Sequence, residues 1–286
     1  MRIGSKAHKE LFCRSFMSSH EPYEPEHLPW PELDDRSLSI LRSLPVWSMA
    51  LQVEVNAGVM IAGFADSQRD PLIQEALRLQ GYEEARHGRM IGVLVERYQI
   101  KTTVADPTAR PTRRAFVDFG YNECVDSFMG FGVYRIARQM RFLPDPIMSL
   151  FTRVLWEEAR HIVFFVNWIA YERTLRGYGP PLLQAIPTAI GYGRALLKTV
   201  GRASLTRTED KGLQAVGDIL KDLTPADFLR ACLTENDLHM ARFDPRLMRP
   251  RAVPAIARFA LNVIEAGTHA RAVAQRALPA RTFTMM

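Results

Sequence analysis

The sequence of 286 residues predicts an all-α protein, with four long helices as its core and further helices after them. Nearly every long segment repeats its apolar residues with the 3.6-residue period of a helix. No stretch shows the apolar–polar alternation, bounded by hairpin turns, that is typical of strands. Hydrophobic residues make up 47% of the chain and charged residues 24%, a globular composition that argues against disorder as the main state.

Boundary signals place the helices in order. Asp70-Pro71 and Asp145-Pro146 each combine an N-cap residue with a proline at the first helical position. We predict core helices at about 45–65, 70–99, 112–140 and 145–176, and C-terminal helices at about 182–202, from 224 onwards and at 254–276. Glycines and prolines then divide the chain into an N-terminal arm (1–39), extended in its Pro-rich part, a helical core (40–177) and a helical C-terminal extension packed on the core (178–286).

Composition also narrows the compartment and the partners. Three widely spaced cysteines without a C-x-x-C pair argue against disulfides and a cysteine zinc site, and they favour the reducing cytoplasm. The net charge of +6 comes from scattered basic residues, so we predict no nucleic-acid partner. The most apolar stretch, 182–197, is shorter than a membrane span and contains Pro187 and Arg194. We therefore expect no membrane-spanning helix, and residues 1–20 lack the apolar region of a signal peptide.

One pentapeptide, Glu-Glu-Ala-Arg-His, occurs twice, at 83–87 and at 157–161. Each copy lies midway along a predicted helix that begins with Asp-Pro, which indicates two related helix pairs. The preceding helix of each pair carries an acid among apolar or small residues. Glu54 precedes the second glutamate of the first copy by 30 positions, and Glu123 precedes that of the second copy by 35. An antiparallel helix hairpin returns the chain to the same height over such distances, so the four acids can meet at one level.

Residues three apart on a helix share a face, so Glu84 lies beside His87, and Glu158 beside His161. Four carboxylates and two imidazoles then converge inside the core. Buried carboxylates without counter-charge cost several kcal/mol each, whereas two divalent cations would balance four negative charges and leave the imidazoles neutral. This balance is the physical argument for two metal ions. The mixed oxygen and nitrogen donors suit iron, alone or with manganese, better than zinc or magnesium.

The pattern of an upstream Glu followed by Glu-Glu-x-Arg-His, present in both halves, resembles that of the ferritin-like di-iron carboxylate proteins. Its spacing is similar to that of bacterial di-iron oxygenases and acyl-carrier desaturases. Over residues 45–177 the resemblance implies a ferritin-like four-helix bundle that binds two iron ions, or manganese and iron, and reacts with O2. It implies six metal ligands, namely Glu54, Glu84, His87, Glu123, Glu158 and His161. Glu84 and Glu158 would be the catalytic carboxylates, since they would bridge the two metals.

The other charged residues of the repeat, Glu83, Arg86, Glu157 and Arg160, are expected to support the ligands. A metal-bound histidine generally donates its free N–H to a carboxylate, which sets the orientation of the ring. The resembled oxygenases have an aspartate where Glu83 and Glu157 stand here. Surface ion pairs of the two arginines are the alternative.

The resemblance implies an O2-dependent enzyme that hydroxylates, N-oxygenates or desaturates a small or carrier-bound organic substrate, with electrons from an external donor. Ile91 and Phe165 stand where the small subunit of ribonucleotide reductase would place its radical tyrosine, so radical generation of that kind is not expected. The alternatives are a tRNA-hydroxylase-like enzyme, which would explain the basic charge, and a ferroxidase or iron sensor without an organic substrate. The chain would act alone or as a homodimer.

Small and aromatic residues near the ligands predict a substrate pocket. Gly58 lies one turn beyond Glu54, and Gly130 lies two turns beyond Glu123. Glycine inside a helix costs ~1 kcal/mol relative to alanine, so glycines on the ligand face suggest room for a substrate. Close helix packing would explain them equally well. The remaining residues of the predicted pocket are Phe119, Ser127, Phe128 and Phe131.

Overall fold

A computed structural model describes residues 1–108, 110–178, 181–206 and 223–277 of the chain. Within these ranges the chain is all-helical and has no strand, as the sequence predicted. Its nine α-helices are α1 (Lys6–Ser18), α2 (Asp35–Ser43), α3 (Trp47–Asp66), α4 (Pro71–Arg97), α5 (Arg113–Gln139), α6 (Asp145–Leu175), α7 (Pro181–Thr206), α8 (Pro225–Met240) and α9 (Ala252–Ala277). Residues 207–222 and 278–286 of the predicted extension lie outside the described residues.

The seven predicted helices begin and end within a few residues of their expected bounds. At α4 the prediction also holds in detail, because the Asp70 carboxylate accepts hydrogen bonds from the backbone N–H groups of Leu72 and Ile73, and Pro71 opens the first turn. At α6 the predicted cap is wrong by one residue. Pro144 occupies the N-cap, and Asp145 is already helical and makes no capping hydrogen bond.

The helices pack as pairs of sequence neighbours. α3 packs along α4 and α5 along α6, while α7 and α8 pack against α5, and α9 packs against α8. Two apolar clusters fill the interior, and α4 contributes to both. Its residues 73–77 belong to one cluster and residues 90–98 to the other. The first copy of the repeat, at 83–87, lies between them, so its polar side chains are enclosed by apolar surroundings.

The N-terminal 39 residues, predicted as an arm, contain α1 and the first part of α2. α1 packs against α4 and α6. The Ser5 side chain caps it by accepting a hydrogen bond from the His8 backbone N–H. Phe12 and Phe16 are buried on the same face as His8, because residues four apart share one side of a helix. The Pro-rich stretch 21–31 is non-helical except for one 3₁₀ turn at Pro25–His27.

Among the described residues, α3 alone is long and apolar enough to cross a membrane by length and composition. Core helices of soluble proteins often pass the same test. α3 packs along α4 and carries a glutamate, Glu54, in its middle, which is costly in a lipid-exposed span. One third of its apolar window is buried in the structure, and a single such helix is weak evidence for a membrane span.

Candidate metal centre

The six residues predicted as ligands converge from four helices. Ligand atoms of Glu54 on α3, Glu84 and His87 on α4 and Glu158 on α6 all lie within 4.8 Å of one another. Nδ1 of His161 lies 3.0 Å from a carboxylate oxygen of Glu84. Glu123 on α5 is not one of these four residues, but it lies close enough to Glu158 and Glu84 for their charges to raise the pKa of its carboxyl.

The two central carboxylates each direct one oxygen toward each histidine. Glu84 places Oε1 at 3.0 Å from Nδ1 of His161 and Oε2 at 3.9 Å from Nδ1 of His87. Glu158 places Oε1 at 3.1 Å from Nδ1 of His87 and Oε2 at 3.7 Å from Nδ1 of His161. In both cases the shorter distance joins α4 to α6 and the longer one lies within a single helix. The arrangement of the two carboxylates and two imidazoles therefore has approximate two-fold symmetry.

Buried polar atoms without a hydrogen-bond partner mark the centre of this group. They include Nδ1 of His87 and of His161, Oε1 of Glu84 and Oε2 of Glu158. Buried polar atoms in folded proteins are almost always hydrogen-bonded, so four such atoms facing one another call for an explanation. Two imidazole nitrogens and carboxylate oxygens are a donor set that fits a transition metal.

A second layer of charged residues holds the histidines, and it crosses between the two copies of the repeat. His87 on α4 donates from Nε2 to Glu157 on α6 over 2.7 Å. His161 on α6 donates from Nε2 to Glu83 on α4 over 2.8 Å. With Nε2–H engaged in this way, Nδ1 of each ring is directed toward the central carboxylates.

The arginines of the repeat follow the same crossed pattern. Arg86 pairs with Glu157, and Arg160 donates to Glu83 over 2.7 Å. All four side chains are essentially inaccessible to solvent. Glu83 and Glu157, the two outer carboxylates, are therefore each neutralised by an arginine from the other helix. Surface ion pairs are excluded for these residues.

The N-terminal segment completes the second layer, and sequence reasoning missed it. His20 lies with Nδ1 at 2.5 Å from Glu83, and the Tyr23 hydroxyl donates to Glu157 over 3.2 Å. Arg160 also donates to the backbone carbonyl of Phe16 over 2.6 Å. These partners are 63 to 144 positions apart in sequence, and no motif in residues 16–23 points to them. The two halves differ here, because a histidine contacts one outer carboxylate and a tyrosine contacts the other.

The electrostatics of the cluster follow from burial among like charges. Burial raises the pKa of Glu54 to about 8. Burial, and then the charges of Glu158 and Glu84, raise the pKa of Glu123 well above its usual range. Burial opposes protonation of His87 and His161, but the surrounding carboxylates outweigh it and raise the pKa of both rings well above the usual value. The cluster thus retains protons at neutral pH that a cation would displace.

The residues carrying the lowest pKa values lie next to positive partners. Burial acts to raise the pKa of Glu158, yet the adjacent imidazoles of His161 and His87 hold it well below the usual range. Glu83 is buried too, but His161 and Arg160 lower its pKa to about 2. Both carboxylates are therefore ionised across the physiological range.

Most of the predicted pocket residues do not border open space. A Cβ atom on Gly58 would lie 3.0 Å from the backbone nitrogen of Ala85, so this glycine permits close packing of α3 on α4 and the pocket prediction is wrong for it. Phe128 and Phe131 are buried in the large apolar cluster, and Phe119 packs against that cluster. Ser127 is buried, and its hydroxyl has no hydrogen-bond partner.

Gly130 is different, because nothing lies within 4 Å of the position a Cβ atom would take. It borders a cavity of about 460 Å³ formed by α5, α6, the segment before α3 and Phe228 of α8. This volume falls within the range of small-molecule sites, about 300–1,000 Å³. Room beside the ligand-bearing helices thus exists on the α5 side, at the end where α3 and α6 begin.

None of the protein-family models, curated proteins or solved structures compared with this chain matches it.

Proposed function

We propose that this protein is a di-iron carboxylate oxidoreductase in which α3–α6 form a ferritin-like four-helix bundle. Glu54, Glu84, His87, Glu123, Glu158 and His161 would hold two iron ions, or one manganese and one iron. The observation that carries the proposal is the set of four buried imidazole and carboxylate atoms that face one another without a hydrogen bond of normal geometry. A structural polar core would pair such atoms with protein groups.

Charge balance supports two divalent cations. The outer carboxylates Glu83 and Glu157 are already neutralised by Arg160 and Arg86. The four inner carboxylates have no arginine or lysine beside them among the described residues, and only the two imidazoles accompany them. Two divalent ions balance four carboxylates when the imidazoles are neutral, which is the form that binds metal.

The protein's own residues prepare the site before any ion arrives. Glu157 and Glu83 hold the Nε2 protons of His87 and His161, so that each Nδ1 is left to bind metal. Because His87, His161 and Glu84 are almost completely buried, they exclude bulk water from that side of the centre. When bound, two iron ions would supply the redox chemistry that activates O2 for oxidation of an organic substrate, with electrons from an external donor.

The nature of the substrate separates this function from its alternatives. A ferroxidase or iron sensor needs no space for an organic molecule, whereas the cavity beside Gly130 provides such space. A small molecule or the end of a carrier-bound group would fit this volume. The tRNA-hydroxylase-like alternative depends on the net charge of +6 alone. We therefore place oxidation of an organic substrate first.

Metal analysis tests the proposal directly. Protein reconstituted anaerobically with ferrous iron should contain about two metal ions per chain, as the charge balance requires. His161→Ala should lower the metal content sharply while circular dichroism stays helical, because the apolar clusters do not depend on the ion. His239→Ala is the matched control, since His239 is also buried but stacks on Phe131 away from the cluster. Fewer than one metal ion per chain in the unmodified protein would contradict the proposal.

Oxygen consumption then distinguishes the functions. The reduced, iron-loaded protein should consume O2 and couple it to oxidation of an added organic substrate. Consumption that depends only on excess ferrous iron would indicate a ferroxidase. Binding of tRNA that weakens steeply with salt would favour the RNA-modifying alternative.

A further inference from the structure

The cavity beside Gly130 has an almost wholly apolar wall. Its lining residues carry no charged side chain, and their one polar side-chain group is the Tyr134 hydroxyl. That hydroxyl is already paired with Thr152 over 2.6 Å, so it is not free for a ligand. The rim is apolar as well, since Val46, Val133 and Met140 line the cavity and are partly exposed.

Two of the candidate ligands, Glu54 and Glu158, lie on helices that begin beside the cavity or line it. Glu54 lies on α3, whose preceding residues Leu44 and Val46 line the cavity. Glu158 lies one turn beyond Val154 and Leu155, which line it from α6.

Two of the candidate ligands are more accessible to solvent than three of the others. The side chains of Glu54 and Glu158 are 18% and 12% exposed, whereas those of Glu84, His87 and His161 are at most 2% exposed. α4, which carries two of the buried ligands, contributes no residue to the cavity wall. The two partly exposed candidate ligands thus lie on α3, which begins beside the cavity, and on α6, which lines it.

We propose that this cavity is the substrate pocket of the metal centre and that it takes an uncharged hydrocarbon group, either an apolar chain or an aromatic ring. The inference rests on the proposed function and specifies its substrate class. A charged or strongly polar group would lose its hydration in this cavity and find no hydrogen-bond partner there. An apolar group instead gains from leaving water, as in most small-molecule sites.

Gly130 offers a direct way to test the pocket. A leucine side chain at this position meets no atom at its Cβ and would extend into the cavity. Gly92 offers the matched control, because it is also a helical glycine with nothing within 4 Å of its Cβ position, and it lies on α4 away from the cavity. Both substitutions raise helix propensity, so a difference between them reports the cavity and not the helix.

The experiment measures binding of the neutral fluorescent probe N-phenyl-1-naphthylamine to the full chain. We expect saturable binding, displaced by naphthalene and at least about tenfold less well by 1-naphthoate, which has the same ring with a carboxylate. Gly130→Leu should weaken binding of the probe at least about tenfold, and Gly92→Leu should not. Gly130→Asp, which places a charge in the cavity, gives a second readout if the leucine variant folds poorly by circular dichroism.

A parallel measurement on the Co²⁺-loaded protein connects the pocket to the centre. Naphthalene should shift the visible absorption of the bound Co²⁺, because it would lie beside the ligands. Three outcomes would overturn the pocket and leave the proposed function standing, provided that the protein still binds two Co²⁺ ions. They are no binding of the probe, equal binding in both leucine variants, and displacement by 1-naphthoate as effective as by naphthalene. Probe binding without any Co²⁺ uptake would overturn the proposed function and with it the pocket's role.

Discussion

Loading the centre with two divalent cations at pH 7 should release at least about two protons per chain. Glu54 has a pKa of about 8, so roughly nine tenths of it is protonated at pH 7. The pKa values of Glu123, His87 and His161 are also raised well above their usual ranges, so these groups contribute further protons. Glu158 adds none, because its pKa is held well below the usual range. All of the protonated groups must lose their protons to bind metal.

The sign of the pH dependence follows from this release. Since protons are products of binding, raising the pH strengthens metal binding, by about a factor of ten per pH unit for each proton released. Above pH 8 Glu54 is largely ionised before metal arrives. The number of protons released should therefore fall by nearly one between pH 7 and pH 9.

Titration calorimetry with Co²⁺ measures the release. The observed enthalpy is compared in two buffers with different ionisation enthalpies, and the slope gives the number of protons. Co²⁺ avoids oxidation during the titration, and His161→Ala serves as the control that should show neither binding nor proton release. Tight binding of two Co²⁺ ions with fewer than about two protons released at pH 7 would refute the reasoning. It would mean that burial does not keep these carboxyl and imidazole groups protonated.

Three further perturbations test other parts of the structure. Glu157→Gln should weaken Co²⁺ binding, measured by chelator competition, about 10–100-fold. It should also lower the free energy of unfolding, measured by urea denaturation, by about 3 kcal/mol, because its arginine partner stays buried without a counter-charge. Glu235→Gln, at an ion pair away from the centre, should leave metal affinity unchanged. Gly58→Leu should lower the melting temperature, because it overpacks α3 on α4 at a cost of about 1–3 kcal/mol. Gly92→Leu should not lower it, and equal melting temperatures of the two variants would contradict the packing role of Gly58. In urea denaturation of the metal-free protein, the free energy of unfolding should fall between pH 4.5 and 8 by at most about 5 kcal/mol. Glu54 has a folded pKa of about 8 against an ordinary value of 4.5, so it loses a stabilising proton over that range. A flat profile would argue against its burial.

Helices and the spacing of the candidate ligands could be predicted from local sequence alone. An N-cap carboxylate, a following proline and a 3.6-residue period act over a few residues, so they specify α4 wherever it packs. The pairs Glu84/His87 and Glu158/His161 share a helix face for the same local reason. The repeat and its upstream acids then needed one further assumption, that neighbouring helices form hairpins, to place six side chains together.

Two glycines with a similar position relative to a candidate ligand in the sequence have different surroundings in the folded protein. Gly58 and Gly130 both follow a candidate ligand by whole helical turns, and the sequence treats them alike. In the structure one lies against the backbone of Ala85 and the other borders a cavity. The distance between two helix axes at a given level depends on every side chain between them, which local patterns do not report.

The crossed second layer was decided by the tertiary structure. The sequence indicates that Glu83 and Glu157 support histidines, but it does not indicate that each supports the histidine of the other copy. It gives no sign that His20 and Tyr23 contact the same carboxylates. Adjacent residues of a helix point about 100° apart, so Glu83 faces away from the centre to which Glu84 belongs and meets whichever element packs there. Local sequence thus determined which residues could be candidate ligands, and the packing of distant segments determined what contacts them and where open space lies near them.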